Sequence, residues 1–358
     1  MPMMNEKSRV QAAMQFRDTD VVPWQIDYTT ELGALIMDAL GIEEQRRLVR
    51  GKNIYKYNAL NDFMGNHLCY LRSEPVDGLR EAGPDIWLDE WGVSWDRSID
   101  KDIGTPVNTV LTQMDLAGLS LPDPDSQVRF AHFMPLIEVN EERYVVVKIS
   151  RCLFERAWSL RGMEALMHDF ILNPSFVHEL FTLLADYTVR LIKNLAGFRI
   201  DAVRFSDDWG GQRGLLISPR MWREFLKPYL KRMYDQAHSQ GYTVFIHSCG
   251  DISAILDDLV EIGVNVFNPF QPEVMDIAGI IERYAGRLVF YGGLSIQKTM
   301  PFGTTGEVRA EVGNRLELAR RHGGYIIGPC HDMPRDVPFE NVLAMRAMLQ
   351  DQSGRREA

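Results

Sequence analysis

The chain has 358 residues, of which 46% are hydrophobic and 25% charged, a composition typical of a water-soluble globular protein. Its net charge of −10 argues against nucleic-acid binding, because a phosphate backbone attracts clustered Lys and Arg. Every apolar run is shorter than the roughly 18 residues of a membrane helix. The charged N-terminus, "MPMMNEKSRVQAAMQFRD", has no apolar core for export, so we expect a cytoplasmic protein without membrane partners.

The first third of the chain is predicted to elaborate one end of a larger domain. Residues 1–80 have mostly helical patterns, apart from one predicted strand at residues 21–27. Residues 85–96, "DIWLDEWGVSWD", predict a β-hairpin or an extended lid rich in Trp and carboxylates. Because no stretch resembles a flexible linker, we expect residues 1–358 to form a single domain.

From residue 144 onward, short apolar runs alternate with longer amphipathic segments, the pattern of buried parallel strands and covering helices. A sheet of this many βα units either stays open and doubly wound or closes into an eight-stranded barrel. Chain length and the absence of a Gly-rich phosphate loop favour the (β/α)8 TIM barrel, an α/β fold. The predicted strands span residues 21–27, 144–150, 201–206, 242–247, 264–268, 287–292 and 323–328.

The strand predicted at residues 242–247 ends in the sequence "HSCGD". Residues i and i+2 of a strand point to the same side, so His247 and Cys249 are expected to face one volume. Cys330, in "GPCHD", has the same relative position after the strand at 323–328. One imidazole and two thiolates with an open fourth position suit a catalytic Zn²⁺ ion. The alternative is a core histidine and two small buried hydrophobic residues.

Polar residues also follow the other predicted strands. Two acids follow the strand at residues 201–206, Asp207 and Asp208, and they suit a fourth metal ligand, a general acid or a helix N-cap. Arg151 suits either a substrate carboxylate or an ion pair with Glu155. The residues selected from these strand ends are Asp207 as a catalytic acid and, for substrate binding, Trp209, Gln212, Asn268, Gln271 and Arg151.

With "HSCGD", "NPFQPE" and "GPCHD" in this order, the chain resembles the uroporphyrinogen decarboxylase superfamily. The resemblance runs from "RDTDVVPW" through "DEWGVSW" and "DDWGGQRGLLISPRMWREFLKPY" to "IIGPCHDMPRDVPFENV", and it implies a TIM barrel. Decarboxylases of that superfamily use no metal and have an arginine-rich loop, which is absent from "QIDYTTELGALIMDALG" here. The other branch holds zinc through a His-x-Cys pair and a distant Cys, a pattern that His247, Cys249 and Cys330 match.

The resemblance to this second branch implies a zinc-dependent methyltransferase. Its corrinoid (cobalamin) would be carried by a partner protein, because the chain has no spare length for a cobalamin domain. The substrate would be a methoxylated aromatic, as in O-demethylation, another small methyl donor, or a thiol acceptor, and either direction of transfer is compatible with the pattern. The alternatives are a metal-independent uroporphyrinogen-type decarboxylase and a zinc-containing binding protein.

Overall fold

The computed structural model describes residues 3–43, 45–49, 52–57, 59–73, 75, 80–102 and 104–352 of the chain. The strands are β1 (Gln45–Val49), β2 (Lys52–Tyr57), β3 (Leu68–Arg72), β4 (Arg80–Gly83), β5 (Ile86–Leu88), β6 (Ser94–Asp96), β7 (Thr105–Pro106), β8 (Tyr144–Ser150), β9 (Ala202–Ser206), β10 (Gly210–Gly211), β11 (Gly214–Leu215), β12 (Thr243–His247), β13 (Val266–Asn268), β14 (Val289–Leu294) and β15 (Tyr325–Pro329). The helices are α1 (Glu6–Met14), α2 (Thr30–Leu40), α3 (Ala59–Met64), α4 (Phe133–Val139), α5 (Phe154–Arg161), α6 (Met163–Leu172), α7 (Pro174–Lys193), α8 (Pro219–Met221), α9 (Lys227–Ser239), α10 (Leu256–Glu261), α11 (Ile277–Tyr284), α12 (Thr299–Phe302), α13 (Thr305–His322) and α14 (Phe339–Gln350).

A curved parallel sheet of seven strands, in the order β15-β14-β13-β12-β9-β8-β3, forms the centre of the fold. Alternate residues of each strand point into the barrel, where Val146, Phe245 and Tyr291 pack together. The intervening residues, such as Val147 and Phe205, pack outward against the helices. The fold is therefore the predicted α/β barrel, and six of the seven predicted strand positions coincide with its strands.

The remaining predicted strand, at residues 21–27, does not form a continuous strand. Pro23 has no N–H to donate, and the segment makes isolated parallel bridges from Trp24 to Ile327 and from Tyr28 to Met333. Gln25 N–H donates to the Ile327 carbonyl at 2.9 Å. Because the backbone of Trp24 also accepts from the residue before β3, this segment lies between β15 and β3 and occupies the eighth position of the barrel.

Gln352, two residues after the end of α14, binds this closing segment. Val22 N–H donates to Gln352 Oε1 at 2.9 Å, and Gln352 Nε2 donates back to the Val22 carbonyl at 3.1 Å. The Gln352 side chain is 5% exposed, so these bonds form away from solvent. The first and last parts of the described chain therefore meet at one place on the barrel.

The N-terminal region contains more β-structure than the sequence predicted. Besides α1, α2 and α3 it holds the β1–β2 hairpin and β3, an unpredicted strand of the barrel whose sequence, "LCYLR", carries polar residues. The hairpin predicted at residues 85–96 is confirmed: β5 and β6 pair antiparallel, with Trp87 opposite Trp95. It belongs to a four-stranded sheet, β4-β5-β6-β7.

Helix boundaries follow the local sequence signals. Pro174 opens α7 as predicted, and Thr304 and Glu307 form a capping box at the start of α13. In the described part of the chain, every helix is too short or too polar to cross a membrane. The helices instead cover the outer face of the barrel, which leaves the ends of the strands to form the site.

Candidate functional site

The most concentrated group of possible metal ligands lies at the carboxyl end of β12. His247 Nε2 and Cys249 Sγ are 3.5 Å apart, and one ligand atom from each of His247, Cys249 and His331 lies within 4.8 Å of the others. Nitrogen and sulfur bound to one tetrahedral zinc ion, at about 2.1 and 2.3 Å, are separated by about 3.6 Å. The observed pair therefore has the spacing of two ligands of a single tetrahedral ion.

Local backbone geometry brings the two ligands to the same side. Gly250 has φ of 78°, and a side chain there would collide with the backbone of Gly210 and Gly211. The chain can therefore turn away directly after Cys249. The Cys249 backbone N–H donates to Asp208 Oδ1 at 2.8 Å, which fixes the turn against the end of β9.

A hydrogen bond from His247 to Asn268 determines which imidazole nitrogen is available to a metal. Asn268 Nδ2 donates to the Tyr291 carbonyl at 3.1 Å, so Oδ1 of the same amide faces His247 Nδ1, 2.5 Å away. Nδ1 then carries the proton and donates, and Nε2, on the Cys249 side, keeps its lone pair. Arg204 Nη2 lies 2.6 Å from the same Nδ1 and competes as a donor.

Replacing Asn268 by Ala should therefore weaken zinc binding. Arg204 would become the remaining partner of Nδ1, and a donor at Nδ1 drives the imidazole proton to Nε2. We expect a loss of about 10- to 100-fold in zinc affinity, measured by competition with a chromophoric chelator. Asn268→Asp, which keeps an acceptor oxygen, should retain most of the affinity. Equal affinity of Asn268→Ala and the wild-type protein would contradict this role.

His247 is ready to bind a metal ion as it stands, whereas Cys249 must first lose a proton. Burial, with the nearby Arg204 and His331, holds the pKa of His247 well below its usual value, so the imidazole is neutral. Burial and the Asp208 carboxylate raise the pKa of the Cys249 thiol. Without metal the thiol is therefore protonated, and metal binding must release its proton.

The strand-end sequence "GPCHD" contributes His331 to this group, while the predicted ligand Cys330 interacts electrostatically with Cys249. Among the described residues, the cluster of ligand atoms within 4.8 Å does not include Cys330, which is 2% exposed and whose pKa burial raises to about 12. The His331 ring lies 5.3 Å from that of His247. Its Nδ1 accepts from the Asp332 N–H at 2.8 Å. The imidazole directly after Cys330 was the sequence signal for this residue.

The hydrogen bonds of Asp207, the predicted catalytic acid, hold together parts of the protein core. Its carboxylate accepts from the backbone N–H groups of Phe154 and Glu155 at 2.9 and 2.7 Å, at the start of α5. It also accepts from Trp209 Nε1 at 2.8 Å. Burial raises the pKa of Asp207 to about 6, against the effect of these bonds. The arrangement matches the N-cap alternative, supplied from another segment.

The neighbouring acid, Asp208, faces the metal-binding pair. Burial raises the pKa of Asp208, and its carboxylate interacts with Cys249 and with His331. Burial, followed by the charges of Asp208 and Asp207, raises the pKa of Glu155 to about 8. Glu155 can therefore hold a proton near neutral pH beside the pair.

The predicted substrate-binding residues are spread over different environments. Trp209 is 1% exposed and packs edge-on against Trp222, so it belongs to the core. Gln212 is exposed in the turn between β10 and β11. Gln271 is buried; its Oε1 accepts from Gly250 N–H at 3.4 Å, and its Nε2 has no partner among the described residues.

Arg151 connects the mouth of the barrel to the β4–β7 sheet. It has φ of 52°, and its guanidinium lies 4.5 Å from the centre of the Trp95 ring. Burial and the nearby Arg156 lower the pKa of Arg151 to about 10. Arg156 donates to Asp89 at 2.7 Å, a second contact between α5 and this sheet. The tryptophan-rich sheet is therefore fixed beside the carboxyl ends of the strands.

Comparison with known proteins places the chain near one family. The family model described as uroporphyrinogen decarboxylase (URO-D) matches residues 98–351. The uroporphyrinogen decarboxylase of Xanthomonas axonopodis pv. citri is 26% identical over 193 residues, 51% of each chain. That of Carboxydothermus hydrogenoformans is 24% identical over 182 residues, 50% of this chain and 49% of its own. The chain thus aligns with about half the length of these curated relatives.

A solved structure matches over nearly the whole fold. The structure described as a methyltransferase from Methanosarcina mazei superposes with a TM-score of 0.71 at 18% identity. The superposition covers 97% of this chain and 98% of that one. At this level of identity the match establishes a shared fold, including the barrel and the elements that surround it.

Proposed function

Since the chain belongs to the uroporphyrinogen decarboxylase family, we propose that it is a zinc-dependent methyltransferase. It would move a methyl group between a small substrate and the cobalt of a corrinoid bound to a separate protein. The observation that carries this proposal is the 3.5 Å spacing of His247 Nε2 and Cys249 Sγ at the carboxyl end of a barrel strand. Active sites of parallel barrels lie at this end.

The donor set fits zinc by its chemistry. Imidazole nitrogen and thiolate sulfur are the ligands that zinc prefers, and the Asn268 contact leaves the required lone pair on His247. The third ligand is either Cys330, as the sequence predicts, or His331, which the ligand-atom cluster favours. When bound, zinc supplies a Lewis acid that stabilises a thiolate or the oxygen leaving a methyl ether.

The residues of the chain would divide the remaining work. Asn268 positions His247, and Asp208 positions the backbone of Cys249. Asp208 and Glu155, whose pKa values are raised by burial, would hold the proton that a leaving alkoxide or phenolate needs. The tryptophan-rich β4–β7 sheet would flank an aromatic substrate.

The partner and location follow from the same proposal. A corrinoid protein would deliver cobalamin to the open carboxyl end of the barrel, and both proteins would work in the cytoplasm. The shared fold with a protein described as a methyltransferase supports this assignment at the level of architecture.

A metal-independent decarboxylase is the second candidate, favoured by the names of the curated relatives. The sequence that follows the first barrel segment, at residues 21–27, argues against a decarboxylase. There the sequence "QIDYTTELGALIMDALG" replaces an arginine-rich loop, and residues Thr30–Leu40 form α2.

The proposal predicts methyl transfer that depends on zinc. The purified chain should contain about one zinc ion, as in a mononuclear site. With free cob(I)alamin and a panel of methoxylated aromatics, methylated amines and methylated thiols, it should form methyl-cobalamin, followed by absorbance. Removing zinc with a chelator should stop transfer, and adding zinc back should restore it. Turnover of uroporphyrinogen by metal-free protein, without methyl transfer from any panel member, would establish the decarboxylase instead.

A further inference from the structure

Three cations form one row across neighbouring strands inside the barrel. Arg72 of β3 is in register with Lys148 of β8, and Lys148 is in register with Arg204 of β9. Register partners in a parallel sheet point to the same face. That face is the interior, because Tyr70 and Val146, two residues earlier on their strands, belong to the inner core. Like charges placed side by side on one face destabilise a sheet, so the row needs an explanation.

Among the described residues, the two inner cations of this row, Lys148 and Arg204, have no carboxylate partner at ion-pair distance. In the described ranges of the chain, neither Lys148 nor Arg204 lies within 4.0 Å of an Asp or Glu oxygen. Lys148 makes no hydrogen bond there and lies 3.6 Å from the centre of the Tyr70 ring. One terminal nitrogen of Arg204 donates to Tyr70, the other lies 2.6 Å from His247 Nδ1, and Nε has no partner among the described residues. A buried cation without a counter-ion is costly.

The nearest carboxylates interact with the row from a greater distance. Asp27 and Asp332 both interact electrostatically with Lys148 and Arg204. Asp27 is already engaged, since it accepts hydrogen bonds from Tyr291 and Gln25. Burial and the charge of Arg204 lower the pKa of Lys148 to about 7. Among the described residues, the Lys148 amine and Arg204 Nε therefore remain donors without an acceptor.

We infer that Arg72 and Lys148 bind an oxyanion of the substrate, so that the methyl donor or acceptor of this enzyme is a small carboxylate. This inference rests on the proposed function, which it narrows to acids such as methoxylated benzoates. Lys148 is half-buried, and Arg72 is exposed at the end of its strand, so both can contact a ligand that enters from the carboxyl end. Arg204, the register partner of Lys148, adds to the positive electrostatic potential at this position.

The row of cations lies close to the residues proposed to bind zinc, so one small substrate can contact both. Arg204 Nη2 is 2.6 Å from His247 Nδ1, and Lys148 interacts electrostatically with the same imidazole, so this part of the row lies beside His247. A small molecule whose carboxylate sits on Lys148 can therefore place its other end toward Cys249. The row would select for charge, and the tryptophan-rich sheet and core walls would select for shape.

Binding to the purified chain tests this assignment without using catalysis. By isothermal titration calorimetry, 3-methoxybenzoate should bind at least about tenfold more tightly than its neutral methyl ester. Lys148→Met should lose about tenfold in affinity for the acid and nothing for the ester, and Arg72→Met should lose severalfold. Lys148→Arg should retain most of the affinity. As a matched control, Lys231→Met removes an exposed cation paired with Asp235 and should change neither affinity.

Two results would overturn the assignment. One is equal affinity for acid and ester, and the other is unchanged acid binding in both Lys148→Met and Arg72→Met. If Lys148→Met does not fold, the exposed Arg72→Met variant decides the question. 3-Methoxybenzenesulfonate distinguishes the anion: weak sulfonate binding supports a carboxylate, and preference for sulfonate overturns the carboxylate assignment. If no methyl transfer is found, the zinc-free Cys249→Ala variant still tests the anion-binding site. Tighter binding of the acid than of the ester by this variant would support that site independently of the proposed methyl transfer.

Discussion

Cys249→Ala should remove the bound zinc and lower methyl transfer by on the order of a thousandfold or more, equivalent to about 4 kcal/mol of transition-state stabilisation. The thiolate is one half of the pair at 3.5 Å, and Ala leaves His247 as a single ligand on that strand. Stability of the metal-free protein should change little, because the Cys249 thiol is half-buried and its backbone bond to Asp208 is retained. Elemental analysis and the methyl-cobalamin assay measure the two effects.

Cys69→Ala is the matched control for this experiment. Cys69 lies in β3 and points toward the outer layer of the barrel, away from the metal-binding pair, so zinc content and activity should be unchanged. The variants Cys330→Ala and His331→Ala then identify the third ligand, because zinc content should fall only when the actual ligand is replaced. A Cys249→Ala protein with full zinc content and normal activity would refute the proposed centre.

Asp207→Ala should destabilise the protein by about 3 kcal/mol, the second large effect. The substitution leaves the N–H groups of Phe154, Glu155 and Trp209 Nε1 without their acceptor in a site that is 1% exposed. Each buried donor left unpaired costs about 1–3 kcal/mol, and relaxation recovers part of that sum. Urea unfolding, followed by far-UV circular dichroism, measures the loss.

The Asp208→Asn variant tests whether Asp208, rather than Asp207, acts in catalysis. It keeps an oxygen for the Cys249 N–H, so its unfolding free energy should stay close to that of the wild-type protein while methyl transfer falls. The reverse pattern, a stable but inactive Asp207→Ala and an active Asp208→Asn, would instead support the predicted role of Asp207 as the catalytic acid.

The sequence predicted the barrel well because buried parallel strands are continuous apolar runs. "YVVVKIS" and "YTVFIH" contain few polar residues, and their ends were placed to within about one residue. β3 was missed because "LCYLR" turns Tyr70 and Arg72 toward the polar interior of the barrel. The segment at residues 21–27 was over-interpreted as a strand, because Pro23 removes a donor from the ladder.

Site residues were harder to predict where two polar residues are adjacent. Asp207 and Asp208 point to opposite sides, one into the core and one toward Cys249, and the sequence alone does not say which. Cys330 and His331 present the same ambiguity. The regular alternation within a strand does not extend reliably past its last paired residue, and these residues lie just beyond it.

The segment that closes the barrel also affects how the chain folds. Val22 and Gln352 are hydrogen-bonded across a sequence separation of 330 residues, so a fragment that lacks either residue cannot make this contact. Contacts of such large separation slow folding, because the entropy of closing the loop between them is lost before the contact forms. In a stack of repeats, by contrast, each unit contacts only its neighbours and can form in turn. We therefore expect the barrel to fold as one cooperative unit, with the segment at residues 21–27 protected from exchange only when residue 352 is present.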